Sequence, residues 1–449
     1  MSRTRMSAAD AAWLRMDRPT NLMVVTSVMW FDEPLDWHAV RDLVATRVIA
    51  RFPRFSQRTV EAHGLFWEDV DDFDLESHLH AVRLPEPGDQ ESLEGFTSSL
   101  VGVPLPRNRP LWDLYLVDNY QGGCAMVFRM HHAIADGTAL ARLLLSLTED
   151  AEEDPVEVEA PGTRSRSSLT AGLRAGLDLA LHPGRLAAYA DPGHLVDLAR
   201  TAAMDAAALT KLALLPADPP TALRGTVGVT KQVVWSRPLA LSELRTAGHH
   251  AQSTVNDILL AAVAGALRTH LVRSRSPVHD IRAIVPLSLR SPDLALPVEL
   301  GNMFGLVYLP LPLTTARRED RLREMTRRTT AVKNSAQGEM SYAMLEMVGM
   351  SPGAVEEVAI DVFASKGTGV MTNVPGPRRP VTLAGQPMAG TIGWGPTSGD
   401  LALGVALFSY AGTVTIGLCV DTGIVPDART MLDDILFELV ELLSRHPAE

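Results

Sequence analysis

The sequence predicts an α/β protein built from two units, on three observations. At 449 residues the chain exceeds the size at which one hydrophobic core usually stops growing. Runs rich in β-branched residues alternate with helix-patterned stretches, and 30 prolines and 33 glycines are spread along the chain as punctuation between many elements. Composition also breaks in the middle: Glu149 to Glu159 carries seven acidic residues and Pro155, and Pro161-Gly162 and the serine-flanked Arg164 and Arg166 follow. The expected organisation is a first unit over 1–148, an acidic linker with connecting helices over 149–225, and a second unit over 226–449.

The elements follow in order. Leu22 to Phe31 reads as a strand, as does Cys124 to Met130 after the turn signal Gly122-Gly123. Ser168 to Leu181 and Gly193 to Leu215 are rich in Ala and Leu at helical spacing and read as connecting helices, ended by Pro216, Pro219 and Pro220. In the second unit Val233 to Ser236 is strand-like, Asn256 to Val272 a helix, and Ile281 to Pro286 and Phe304 to Pro310 strands. Leu401 to Tyr410 and Thr413 to Val420 flank Ala411-Gly412 as a hairpin, and Asp427 to Arg445 is an amphipathic helix.

With 46% hydrophobic and 21% charged residues, the chain has apolar material for large cores and is not a disordered chain. A formal charge of −12 supplies no general basic field, so nucleic acid is not the expected partner. Cys124 and Cys419 form no disulfide framework and no metal-ligand spacing is present, which points to a reducing compartment and no metal site. The opening lacks the apolar core of a signal peptide, and the longest apolar run, Ile258 to Leu267, is too short to span a bilayer. A soluble or peripheral, cytoplasmic protein is expected.

The chemistry concentrates in His131-His132-Ala133-Ile134-Ala135-Asp136-Gly137, between an apolar strand and the helical Leu140 to Leu147. Strand alternation puts Met126, Phe128, Met130 and His132 on one face, and Val127, Arg129 and His131 on the other. An imidazole on the apolar face is biased towards its neutral form, which a general base near pH 7 must have, so His132 is the candidate base. Asp136 either orients that ring or pins the loop through an Arg, and the second role is favoured. Gly137 is expected to supply a positive φ after Asp136. The other histidine pair, His249-His250, has no apolar strand before it and reads as structural. Asp257, three residues after Thr254, fits a helix cap; Asn256 either donates to substrate or sits on a solvated helix end. Arg290 is either a surface charge or the partner of Asp136. No GxGxxG, GxxxxGK[ST] or GxSxG pattern occurs, so nucleotide cradles and a serine nucleophile lose support.

HHAIADG resembles the HHxxxDG motif of the coenzyme A-dependent acyltransferases. Together with Met6 to Asn21, Arg109 to Asp118, Thr254 to Arg268, Val285 to Arg290, Glu299 to Pro312, Met371 to Pro377 and Leu403 to Gly412, it is similar to the bacterial wax ester synthase/diacylglycerol acyltransferase family over nearly the whole chain. The resemblance implies two chloramphenicol-acetyltransferase-like halves joined by a helical connector, with the active site in a tunnel between them. It also implies acyl-CoA as co-substrate, no permanently bound cofactor, and transfer of a long-chain acyl group to diacylglycerol or a fatty alcohol. Contact with a membrane or lipid-droplet surface is a separate expectation, raised by the insoluble products of such a family and by the Ala/Leu-rich stretches between Ser168 and Leu215, which read first as a packed connector. His132 would be the base, beside His131, and Asp136 a structural partner of Arg290. Pro110, Leu111 and Trp112 would bind substrate, with Asn256 and Asp257 in support. The chain departs from the family pattern at Ala12-Trp13 and over Gly393 to Asp400. Rival readings are the same fold with another alcohol or an amine as acceptor, and a lipid-binding protein without activity. Arg378 and Arg379 are basic candidates for the coenzyme A phosphates.

Overall fold

The computed structural model of the chain describes residues 3–149, 215–289, 298–335, 337–338, 341–342 and 361–444. The expected connecting helices over 168–181 and 193–215 lie outside the described residues apart from Leu215, and Arg290 lies outside them too. In chain order the elements are β1 (Arg3–Arg5), α1 (Ala8–Arg15), β2 (Val24–Phe31), α2 (Trp37–Leu43), β3 (Gln57–Glu61), β4 (Leu65–Asp69), β5 (Leu79–Arg83), α3 (Gln90–Val101), β6 (Trp112–Tyr120), β7 (Gly123–His131) and α4 (Gly137–Ser146). Then come β8 (Lys231–Trp235), β9 (Leu239–Ala240), α5 (Leu241–His250), α6 (Val255–Arg273), β10 (Ile281–Ser288), β11 (Phe304–Leu311), α7 (Arg318–Lys333), β12 (Gly369–Pro375), β13 (Thr382–Leu383), β14 (Gln386–Trp394), β15 (Leu403–Tyr410), β16 (Thr413–Asp421) and α8 (Ala428–Ser444).

Two sheets carry two lobes. The first runs β13-β14-β2-β7-β6-β5, the second β11-β10-β12-β15-β16-β8 with β9 also on β16. Strands β13 and β14 come late in the chain yet complete the first sheet: β14 lies antiparallel on β2, with Ile392 opposite Val28 and Trp394 opposite Thr26. Every residue of β2 and of β7 is buried, because one face of this sheet packs within its own lobe and the other meets the second lobe. Val28, Trp30, Val127 and Trp394 meet Trp235 and Ala406 there.

Helix α6 is apolar all round from Ile258 to Leu267 and, by length and composition, long enough to cross a membrane; here it is the central, mostly buried helix of the second lobe, packed by α7 and α8. Thr254 Oγ1 accepts from the Asp257 backbone N–H and Asp257 returns the bond to Thr254 N, a capping box that fixes where α6 starts. The β15–β16 turn places Ala411 and Gly412 at φ +45° and +79°, the left-handed pair that matches the twist of a tight hairpin. Both cysteines are free thiols.

Candidate active site

His132 sits one residue past the end of β7. Its N–H donates to Met23 O at 2.7 Å on the β2 side, and the His131 N–H donates to Leu111 O at 2.9 Å on the β6 side. The sheet therefore clamps the pair from both flanks. The His132 ring is buried, with Trp13 stacked on it at a centroid distance of 4.3 Å and Phe304 tilted against it at 5.3 Å. Burial pushes this imidazole down to about 4, against the opposing pull of Asp136 and of the Asn302 side chain. At neutral pH the ring is uncharged. Its Nδ1 lies 2.9 Å from Asn302 Oδ1, and among the described residues nothing hydrogen-bonds Nε2.

His131 points elsewhere. Its Nδ1 accepts from the Ala133 N–H at 3.0 Å, which leaves its proton on Nε2, 3.8 Å from Asp17 Oδ2 and beyond hydrogen-bond reach. This ring stabilises the turn and does not line the cavity.

Asp136 is the N-cap of α4, accepting from Ala139 N at 2.8 Å through Oδ1 and from Met303 N at 3.0 Å through Oδ2. It ties the His131–Gly137 turn to the segment that leads into β11. Gly137 departs from expectation: it is the first helical residue of α4 and is not among the positive-φ glycines. A Cβ built there meets nothing within 4 Å, so the missing side chain preserves open cavity rather than an unusual backbone angle.

Residues 300–303 back the turn that carries His132. Leu300 and Gly301 take φ +52° and +83°, Gly301 bridges to Ala135, and its N–H donates to Ile134 O at 3.0 Å. The path delivers Asn302, whose Nδ2 donates to Asp10 Oδ1 and to His132 O, both at 2.8 Å. Neither Asp10 nor Asn302 was singled out from the sequence. A signal existed for Asp10, a lone acid inside the otherwise apolar AADAAWL, whose residues from Ala9 to Leu14 are all buried.

His132, Trp13, Asp136 and Gly137 open on a cavity enclosing about 1370 Å³ of empty space, part of it open to solvent. Its walls come from both sheets and from α4, and are mainly apolar, with Val25, Met29, Leu140, Leu144, Phe304 and Phe408 among them. Ser27 Oγ lies on this wall, buried and, among the described residues, without a hydrogen-bond partner. Both places where the chain departs from the family pattern reach the cavity, through Trp13 and through Gly393, Trp394, Gly395, Pro396 and Ser398.

Other expected site residues stand back from it. Leu111 and Trp112 are core residues, with Trp112 stacked on His78 and its Nε1 donating to Phe55 O; together with Pro110 they support the end of β7 from behind and do not line the cavity. Asn256 accepts from Asn373 Nδ2 at 2.9 Å, and Asn373 is the one that lines the cavity. Asp257 caps α6 and accepts from Thr329 Oγ1 at 2.6 Å. Arg378 and Arg379 are exposed, directly after the cavity residue Pro377. Among the described residues no cluster of His, Cys, Asp and Glu fits a metal ion.

Residues 6–259 match the catalytic-domain model of wax ester synthase/diacylglycerol acyltransferase, and residues 300–443 match the C-terminal domain model of the same family. A protein of Mycobacterium tuberculosis strain H37Rv described as "Probable diacyglycerol O-acyltransferase tgs1" is 27% identical, over 98% of this chain and 96% of its own length. Among solved structures, the wax ester synthase/diacylglycerol acyltransferase from Marinobacter aquaeolei VT8 superposes with a TM-score of 0.69 at 21% identity, covering 99% of this chain and 100% of that one. The first condensation domain of the calcium-dependent antibiotic synthetase superposes with a TM-score of 0.62 at 16% identity, covering 100% and 97%. The fold is thus the two-lobed α/β arrangement of chloramphenicol-acetyltransferase-like halves.

Proposed function

The chain belongs to the wax ester synthase/diacylglycerol acyltransferase family of acyl-CoA-dependent acyltransferases, and from that premise we propose that it moves a long-chain acyl group to a lipid hydroxyl, with His132 as the general base. The acceptor is diacylglycerol, giving triacylglycerol, or a fatty alcohol, giving a wax ester. The observation that carries this reading is an uncharged, buried imidazole opening on a large apolar cavity fed by both lobes. The cavity's mainly apolar lining, drawn from both sheets and α4, suits hydrocarbon chains, with few polar groups to hold them in place.

In the reaction, Nε2 of His132 takes the proton of the acceptor hydroxyl as its oxygen attacks the thioester carbonyl; the tetrahedral intermediate collapses, and the coenzyme A thiolate leaves with the proton that the imidazolium returns. A cysteine nucleophile has no support. Burial pushes both thiols up to about 11, and neither cysteine lines the cavity around His132. The apolar walls favour a lipid alcohol over a polar amine. Arg378 and Arg379 beside Pro377 offer positive charge for the coenzyme A phosphates.

The test is release of free coenzyme A thiol from palmitoyl-CoA with diacylglycerol, hexadecanol or a long-chain amine in competition, with product lipids identified. Ester formation that falls by ~10²–10⁴ in His132→Ala is the expected result. A preference for the amine, or folded native protein that releases no thiol with any acceptor, sinks the reading.

A further inference from the structure

The proton on His132 is placed by two residues outside the HHAIADG motif. We propose that Asp10 and Asn302 are positioning residues that hold His132 in the tautomer with its proton on Nδ1, leaving the Nε2 lone pair for the acceptor hydroxyl; this rests on His132 being the base of the reaction above.

A carboxamide has two ends, one of which only donates and the other only accepts. Which end of Asn302 faces the imidazole is decided by its remaining contacts. Its NH₂ meets two acceptors at 2.8 Å, the carbonyl oxygen of His132 and Oδ1 of Asp10. That same Oδ1 accepts the Asn302 backbone N–H at 3.1 Å, and a backbone N–H can only donate. Turning the amide over would set its oxygen against both acceptors and break both bonds in a buried site, a costly arrangement. The amide oxygen therefore faces the ring. At 2.9 Å from that oxygen, His132 Nδ1 must donate, and a neutral imidazole has one proton to give.

Asp10 is held in turn. It lies in the first turn of α1, where its N–H donates to the N-cap Ser7 Oγ at 3.1 Å, and Gly301 passes over it closely enough that a Cβ would stand 3.5 Å from Oδ2. Arg54 faces it as the compensating cation. Trp13, three residues along the same helix and so on the same side, stacks on the His132 ring. One short helix thus fixes both the plane of the base, through Trp13, and its proton, through Asp10. Asn302 arrives on the segment leading into β11 of the other lobe, so the base is set only when the lobes are together.

The tautomer can be read directly. Protein labelled with ¹⁵N-histidine is measured by two-bond proton–nitrogen correlation, with the His132 signals identified by their loss in His132→Gln. The expected native pattern is a protonated Nδ1. In Asn302→Leu and Asp10→Leu that pattern is lost, kcat falls by about 10²-fold, and KM for acyl-CoA stays within about threefold. Asp10→Asn keeps an oxygen acceptor and falls between. The pH profile separates positioning from mere loosening. Around His132, Asp136 and the Asn302 hydrogen bond favour the cation while burial and His131 oppose it. Losing the Asn302 bond in Asn302→Leu therefore moves the acid limb of kcat/KM to lower pH, whereas a loosened, wetted site moves it up. A native signal with the proton on Nε2, an acid limb that moves up, or variants that turn over within about threefold of native would overturn the proposal. The native spectrum needs no variant to fold. Absent acyl transfer with Nδ1 protonated removes the reaction and leaves the tautomer assignment standing.

Discussion

At the scale of single residues, the proposed base is prepared by subtraction of water. An ordinary imidazole is half protonated near pH 6.5, but burial beneath Trp13 and beside Phe304 pushes His132 down to about 4. Its protonated form cannot accept a proton, so activity is lost as pH falls through the depressed value. The acid limb of kcat/KM is accordingly expected near pH 4, with little loss between pH 7 and 5, in measurements kept within the range where the protein stays folded; a limb centred near 6.5 would mean a solvated ring. Gly137 gives a second test. Its missing side chain faces open space in the cavity, so Gly137→Ala should be at least as stable as native, since alanine loses less backbone entropy in a helix. Gly137→Leu should keep the native melting temperature and lower kcat/KM for acyl-CoA, because the added side chain fills volume that substrate uses.

At the scale of elements, helix starts carry much of the architecture. Asp136 caps α4 and also holds Met303 N, so one carboxylate fixes the His131–Gly137 turn to the entry of β11. The capping box of Thr254 and Asp257 does the same for α6, the helix on which the second lobe is packed. Thr254→Ala is expected to cost about 1 kcal/mol of stability. Asp257→Ala should cost more, about 2–3 kcal/mol, because it also leaves the buried Thr329 hydroxyl without one of its acceptors. Calorimetry or denaturant melts would show the order; equal losses would mean that the inward bond to Thr329 contributes nothing.

At the scale of the whole molecule, the two lobes are not two independent stretches of chain. Strand β14, from residues 386 to 394, covers the edge of β2, whose eight residues are all buried. A fragment ending at residue 225 lacks β14 and exposes β2 as a long apolar edge, the kind of edge that pairs with other chains. That fragment is expected to aggregate on size-exclusion chromatography, and co-expression with residues 226–449 should recover soluble complex. A monomeric, cooperatively melting fragment would show that the first lobe closes without β14.

Local patterns in the chain were enough to place the elements and to point to a candidate base. Periodicity, turn residues and caps are local, which is why the strands around His132, the hairpin at Ala411-Gly412 and helix α6 were legible within a residue or two. The motif blocks likewise carried the family. Tertiary structure decided what depends on residues far apart in the chain meeting in space. The union of β14 with β2 spans more than 350 positions, and the bond between Asn302 and His132 spans 170, so no periodicity within either segment announces them. Only packing revealed that Gly137 keeps space rather than a turn, and that Trp13 and the stretch from Gly393 to Ser398 reach the cavity. Burial did the remaining work, since a neutral histidine is a property of its surroundings and not of its neighbours in sequence.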